Sequence, residues 1–261
     1  MNGWDAFILG LIQGLTEFLP ISSSGHIELG KVLLGIEGDE NMAFTVVVHG
    51  ATVLSTIIIL FPEILSLLKG IKGFRWSGSN QFIVKIILST LPVIFVGLFF
   101  ADWLESFFSG NLVFVGSMLI ITAILLFFTY FAKPRQQDIS FVDALIIGIA
   151  QMIAVLPGIS RSGATIATGL LLGNKKEEVA KFSFLMVLIP IIGANFLDLM
   201  RGELTTGQIP GSVLIIGFIS AFVTGLLACS WMLNIVKKGK LYYFGIYCLI
   251  VGIIAILTGI I

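Results

Sequence analysis

DAFILGLIQGLTEFLPISSSGHIELGKVLLG, residues 5–35, and DALIIGIAQMIAVLPGISRSGATIATGLLLG, residues 143–173, are two copies of one polar segment in an otherwise apolar chain. They align without a gap at a constant offset of 138, and twelve of the 31 positions are identical. The matches are Asp5/Asp143, Ala6/Ala144, Ile8/Ile146, Gly10/Gly148, Gln13/Gln151, Ile21/Ile159, Ser22/Ser160, Ser24/Ser162, Gly25/Gly163, Leu33/Leu171, Leu34/Leu172 and Gly35/Gly173. The differences are chemical. Where the first copy has Glu17, Ser23 and His26, the second has Val155, Arg161 and Ala164. Carboxylate, nucleophile and acid/base types sit in one copy and the fixed cation in the other, so a site built from both copies is expected.

The composition sets the surroundings. Hydrophobic residues make up 57% of the chain and charged residues 11%, with a mean hydropathy of +1.07. Soluble domains carry about 25% charged residues, so this is read as an all-α polytopic membrane protein. Uncharged runs near the roughly 20 residues a span needs occupy 41–62, 112–131, 211–236 and 241–261. Spans are also expected at 82–101 and 179–200, despite Lys85, Lys181 and Asp198. The N-terminus has neither a charged n-region nor a small-residue cleavage site, so no cleaved signal peptide is expected. A net charge of zero with no basic block argues against nucleic acid as a partner. Cys229 and Cys248 lie in apolar runs and read as packing thiols, not a disulfide or metal pair. No polar linker exceeds about 15 residues, a length uncommon inside a domain, so 1–261 reads as a single membrane domain with repeats 1–131 and 139–261.

Loop charges give a topology. Glu37, Asp39 and Glu40 precede one span; Lys69, Lys72 and Arg75 follow it, beside Glu63. Asp102 and Glu105 are acidic again; Lys133 and Arg135, then Lys175, Lys176 and Lys181, and finally Lys237, Lys238 and Lys240 are basic. Basic loops belong in the cytoplasm. With that constraint 141–174 starts and ends inside, and 3–36 starts and ends outside. Each must dip into the membrane and return, as two half-helices broken at Pro20–Gly25 and at Pro157–Gly163, where proline and glycine interrupt a helix. Each half is then one re-entrant hairpin plus three transmembrane helices, in opposite topology. That is the inverted-repeat plan, with half-helix ends meeting near the midplane.

Ser22, Ser23 and Ser24 open the second half-helix, and Ser160-Arg161-Ser162-Gly163 repeats the arrangement with a guanidinium. Serine caps helix starts, and exposed N–H groups with the positive dipole end bind phosphate. An Arg at depth costs at least about 2.5–3.5 kcal/mol, so Arg161 needs an anionic partner; a diphosphate would supply one. Gln13 and Glu17 are four apart on one face of the incoming half-helix, and His26 lies one turn after Ser23. Glu, Ser, His and Arg together supply attack on phosphorus, proton transfer and charge stabilisation. The catalytic candidates are Glu17, Ser23, His26 and Arg161; the substrate-binding candidates are Gln13, Ser22, Ser24, Gly25, Ser160, Ser162 and Gly163. Ser23, His26 or an activated water are all open as nucleophile. Glu28 and Lys31 read as a surface ion pair, Asp5 and Asp143 as N-caps, and His49 as either a packing histidine or a site residue.

QGLTEFLPISSSGH matches the (E/Q)GxTEFLPxSSxGH signature of the undecaprenyl-diphosphate phosphatases, and LPGISRSGAT matches their PGxSRSGxT signature. Both motifs, their order, the length and the hydropathy agree, so the chain resembles that family throughout. The resemblance implies a bacterial plasma-membrane hydrolase that removes the terminal phosphate from a C55 isoprenoid diphosphate, regenerating the carrier for cell-wall building blocks and conferring bacitracin resistance. It implies a site open to the outer face and stimulation by a divalent cation, Mg2+ or Ca2+. The sequence offers that ion only Glu17 among the acidic residues of the motifs. The expected partners are a polyprenyl diphosphate lipid and the membrane; a homodimer is compatible with the sequence. The alternative is an inverted-repeat transporter or lipid flippase, because fold analogy does not give function. Phosphatidate-type membrane phosphatases also carry PSGH and SR motifs, but they add a Lys-x6-Arg-Pro motif and a His six residues after the Arg. Residue 167 is Ala, and the chain has no Arg-Pro dipeptide.

Overall fold

The computed structural model describes residues 1–36, 42–71, 76–107, 111–133, 136–200 and 209–260, without the side chains of Met42, Asp102, Glu105, Asp198 and Leu199. The charged loop residues Glu37, Asp39, Glu40, Lys72, Arg75 and Arg135 also lie outside the described residues. The described chain is helical, apart from loops and one isolated bridge between Gln137 and Asn174.

The first repeat copy folds as α1 (Gly3–Phe18) and α2 (Ser23–Leu34), and the second as α8 (Phe141–Ile153) and α9 (Arg161–Leu171). Each of these is shorter than the roughly 20 residues of a span. Each pair is an antiparallel hairpin. Gly30, late in α2, packs on Leu9 and Ile12 of α1, and Gly169, late in α9, on Ile147 of α8. The helix starts correct one expectation. Asp5 and Asp143 are not the N-caps. Asn2 caps α1 and Ser140 caps α8, and the two aspartates are the N3 members of capping boxes that accept back from the cap N–H groups at 2.7 and 2.9 Å. The carboxylate therefore serves the same helix start from one turn further in.

The spans follow. α3 (Met42–Ile59) turns by 69° into α4 (Phe61–Gly70). The expected run 41–62 thus stops early, because Pro62 lacks an N–H and its ring excludes the carbonyl four residues back; with it in the first turn, α4 starts as a new helix. Then come α5 (Gly78–Phe99), the short α6 (Ala101–Glu105), α7 (Leu112–Phe128, ending in a 3-10 turn to Phe131), α10 (Lys176–Met200), α11 (Gly211–Lys238) and α12 (Tyr242–Ile260). Among the described residues, α5, α7, α10, α11 and α12 are long and apolar enough to cross a membrane, and the α3–α4 pair is a bent sixth candidate. The chain is a multi-pass membrane protein.

The packing crosses between halves. α1 lies on α11 and α8 on α5; α3 touches α11 and α10, α10 touches α3 and α5, and α7 lies along α12. With no hydrophobic drive between helices in lipid, small residues that admit close backbone approach hold such pairs. A Cβ at Gly10 would lie 2.5 Å from the Gly217 carbonyl oxygen, one at Gly148 would strike the Ser89 carbonyl, and Gly116 and Gly252 face each other's carbonyls in the same way. The core between the halves includes Phe18, Leu119, Ile166 and Phe182, all essentially inaccessible.

Candidate active site

The two hairpin tips meet. Ser22 caps α2, its Oγ accepting from Gly25 N–H at 3.3 Å, and it also accepts from Gly158 N–H of the other tip at 3.1 Å. Ser160 caps α9 through Gly163 N–H at 3.0 Å. Ser162 Oγ donates to Leu19 O at 3.2 Å, crossing back to the first tip. Gly158 has φ +99°, and a Cβ there would lie 2.5 Å from Val115 O, so glycine is required on both counts. Ser22 takes φ +71°, a left-handed conformation that costs a non-glycine residue of order 1–3 kcal/mol. Its two accepted hydrogen bonds offset that cost.

Glu17 is the centre of the polar cluster. At the C-terminal end of α1 its side chain is only 8% exposed. Its Oε1 accepts from Arg161 Nη2 at 3.0 Å; its Oε2 accepts from Ser23 Oγ at 2.6 Å and from Gln13 Nε2 at 3.0 Å. So the carboxylate of one copy joins the serine of the same copy and the guanidinium of the other. Gln13 and Glu17 meet at their helical spacing, and the anionic partner of Arg161 is Glu17, whereas the sequence alone points to a diphosphate. The Ser22 and Ser24 hydroxyls lie 3.4 Å apart and those of Ser160 and Ser162 3.2 Å apart, lining the two helix starts. Gly25 and Gly163 lie where the tips touch: a Cβ on the first would be 3.2 Å from Gly158 Cα, and on the second 3.3 Å from Pro20 Cβ.

His26 behaves differently from the other candidates. Its Nδ1 is 2.8 Å from Ser22 O and its Nε2 2.9 Å from Tyr247 Oη, with the two rings stacked at 13°. Its ring nitrogens engage α12 and its own helix, with neither Glu17 nor Ser23 a hydrogen-bond partner. His49, left open by the sequence, lies beside the cluster: its Nε2 is 3.9 Å from Glu17 Oε2, and its Nδ1 is 2.8 Å from Thr45 O. Two other residues had no motif to announce them. Tyr247 is one; Thr122 of α7 is the other, donating to Gly158 O and accepting from Ser160 N–H. The only hint was a hydroxyl inside an apolar run. Glu28 and Lys31 pair at 3.1 Å, away from Glu17.

A narrow cavity opens from this cluster between α3 and α10. Glu17, Arg161, Ser162, Thr52 and Ser183 line its polar part, and Phe18, Val187, Leu188 and Ile191 are among its apolar walls. Its lining joins a charged end to an apolar wall. Among the described residues no three His, Cys, Asp or Glu side chains converge as a metal cage. Both Glu17 oxygens are already engaged, and the oxygens beside them include Ser23 Oγ and Gln13 Oε1, the latter buried without a partner. One carboxylate with neutral oxygens would hold a divalent cation only together with substrate phosphates and water.

Comparison with known proteins agrees along the whole chain. The family profile described as bacitracin resistance protein BacA matches residues 6–254. The chain is 56% identical over 262 residues to an undecaprenyl-diphosphatase of Bacteroides fragilis, covering 99% of this chain and 98% of the relative. It is likewise 56% identical to one from Bacteroides thetaiotaomicron, covering 99% of both, and 41% identical to one from Korarchaeum cryptofilum, covering 95% and 96%. Both polar tips and every residue around Glu17 fall within the matched stretch, and the chain belongs to the BacA family.

Proposed function

We infer that this protein hydrolyses undecaprenyl diphosphate to undecaprenyl phosphate and inorganic phosphate. It is a membrane phosphatase of the cell-wall lipid cycle, and its activity accounts for the bacitracin resistance in the family's description. The observation that carries the reading of the site is the Glu17 carboxylate, bonded at once to Ser23 Oγ and to Arg161 of the opposite tip.

The diphosphate lies across the starts of α2 and α9, with its tail toward the α3–α10 cavity. Arg161 and the N–H groups of both helix starts hold phosphoryl oxygens, helped by the Ser24, Ser160 and Ser162 hydroxyls. Ser23 Oγ attacks the terminal phosphorus while its proton passes to Glu17 Oε2. The bond to the bridging oxygen breaks, and undecaprenyl phosphate leaves as an anion, taking the proton with it. Water then attacks the phosphoserine; its proton passes through Glu17 to Ser23 Oγ, and phosphate departs. Ser23 is favoured over His26 as nucleophile because its hydroxyl faces the carboxylate at 2.6 Å, whereas His26 Nε2 faces Tyr247. Gln13 holds Glu17 in place. A divalent cation, Mg2+ or Ca2+, would neutralise charge on the phosphoryl oxygens, with Glu17 its carboxylate contact.

The pairing of helices supports one membrane domain of two inverted repeats, 1–131 and 139–261. Exchanging α1 with α8, α3 with α10, α5 with α11 and α7 with α12 turns α1 on α11 into α8 on α5, and α3 on α11 into α10 on α5, while α3 on α10 and α7 on α12 map onto themselves. The Gly116–Gly252 crossing maps onto itself. The basic loops read as cytoplasmic, together with a cell-wall lipid as substrate, support a bacterial plasma-membrane protein whose site faces outward.

The test is phosphate release from undecaprenyl diphosphate by purified protein with Mg2+, comparing wild type, Ser23→Ala and Arg161→Ala. Wild-type release that falls by about 10²–10⁴ or more in both variants supports the composite site. A Ser23→Ala enzyme near the wild-type rate removes the serine from the chemistry. A folded wild type that moves lipid across vesicles without releasing phosphate favours the carrier reading.

A further inference from the structure

His26 has two ring nitrogens and two partners of different kinds. The partner of Nδ1 is the Ser22 carbonyl oxygen at 2.8 Å. A carbonyl only accepts, so in the neutral ring Nδ1 carries the proton and Nε2 bears the lone pair. The partner of Nε2 is the Tyr247 hydroxyl at 2.9 Å, which must then be the donor. Stacking of the two rings, with centroids 5.6 Å apart, fixes the imidazole plane as well. The neighbouring residue on α12 anchors the same contact: Cys248, fully buried, reaches the Pro20 carbonyl of the first tip at 3.7 Å. Two successive residues of α12 thus dock on the first tip, one on its backbone and one on its histidine.

We propose that Tyr247 is a positioning residue of the phosphatase site, holding His26 as the Nδ1–H tautomer with Nε2 turned toward α12 and away from Glu17. Serine activation and His26 are separated by this arrangement. Glu17 serves Ser23, and His26, with both ring nitrogens engaged, ties the Ser22 carbonyl at the start of α2 to α12. Tyr247 comes from the last helix of the chain and lies outside both sequence motifs. The inference rests on the phosphatase reading for its kinetic consequence but not for its geometry.

The chain has only two histidines, so protein labelled with 15N-histidine gives two ring systems, and His49→Gln assigns them. Long-range 1H–15N correlation should show His26 protonated at Nδ1, with a hydrogen-bonded bare Nε2. Tyr247→Phe, which removes one oxygen and keeps the ring, should move that Nε2 resonance toward the value of an unbonded nitrogen and leave His49 in place. Turnover of undecaprenyl diphosphate should fall by about 2- to 10-fold, the worth of one hydrogen bond. Because Tyr247 acts through His26, Tyr247→Phe in a His26→Ala background should cost nothing further. A His26 protonated at Nε2, an Nε2 resonance unmoved by Tyr247→Phe, or multiplicative losses in the double variant would each overturn the proposal. If the wild type releases no phosphate while the resonances behave as expected, the phosphatase reading fails and the Tyr247–His26 pairing stands.

Discussion

Glu17→Gln separates the two roles of the central carboxylate. The amide keeps the size and can still accept from Ser23, but it cannot take a proton and leaves Arg161 without a counter-charge. Removing one partner of a buried ion pair costs about 3–5 kcal/mol. Glu17 is 8% exposed but Arg161 27%, so water reaches the guanidinium and the lower end, about 3 kcal/mol, is expected. The loss of a general base lowers turnover by about 10²–10⁴. The two effects come apart in a second variant. Arg161→Met in the Glu17→Gln background removes the stranded charge, so most of the lost stability should return, while turnover stays at or below the single variant's level. Unfolding in detergent and phosphate release from undecaprenyl diphosphate read the two quantities on the same samples. Turnover of Glu17→Gln within tenfold of wild type would refute Glu17 as the base. A double variant no more stable than Glu17→Gln would refute the energetic account of the pair.

At Ser22 the backbone and the hydroxyl pull in opposite directions. Ser22→Ala loses a cap worth about 1 kcal/mol and the acceptor for Gly158 while keeping the φ strain, so it should destabilise by about 1–3 kcal/mol; Ser22→Gly relieves that strain and should cost less, as unfolding midpoints can show. Gly10→Val and Gly148→Val drive a side chain into the facing helix's backbone, so each should cost at least the roughly 1–3 kcal/mol of an overpacked core; a variant as stable as wild type would mean the helices are not so closely held. His49→Ala, read by steady-state kinetics, should lower kcat because Nε2 faces the reacting carboxylate at 3.9 Å; an unchanged kcat would return His49 to a packing role.

The sequence announces most of this site because the duplicated segment carries it. Glu17, Ser23 and Arg161 could be picked out by residue type and by their placement in two matching copies, and Gln13 by its spacing of four from Glu17. What could not be read is direction across space. His26 lies three residues after Ser23, which places the two on one face of a helix, but which element captures the imidazole is a tertiary fact, and it is α12. His49 and Tyr247 become meaningful only once α3 and α12 are set against the first tip. The aspartates at positions 5 and 143 carry a helix-start signal whose register shifts by one turn, because Asn2 and Ser140 compete for the cap. The bend at Leu60 was visible as Pro62, but an uninterrupted apolar run masks a break in direction.

The packing of α1 on α11 also bears on how the protein is made. α1 ends at Phe18 and α11 begins at Gly211, so at about 5–20 residues per second the partner emerges roughly 10–40 s after the helix that needs it. During that interval Glu17 sits in a membrane segment without Arg161, 144 residues downstream. An unpaired carboxylate at depth costs about 2.5–3.5 kcal/mol, and the glycine face of α1 has nothing to close on. The first hairpin is therefore expected to stay at the membrane surface or in the care of the insertion machinery. It enters only when the second half arrives, so that biogenesis ends, not begins, with the segment that is synthesised first.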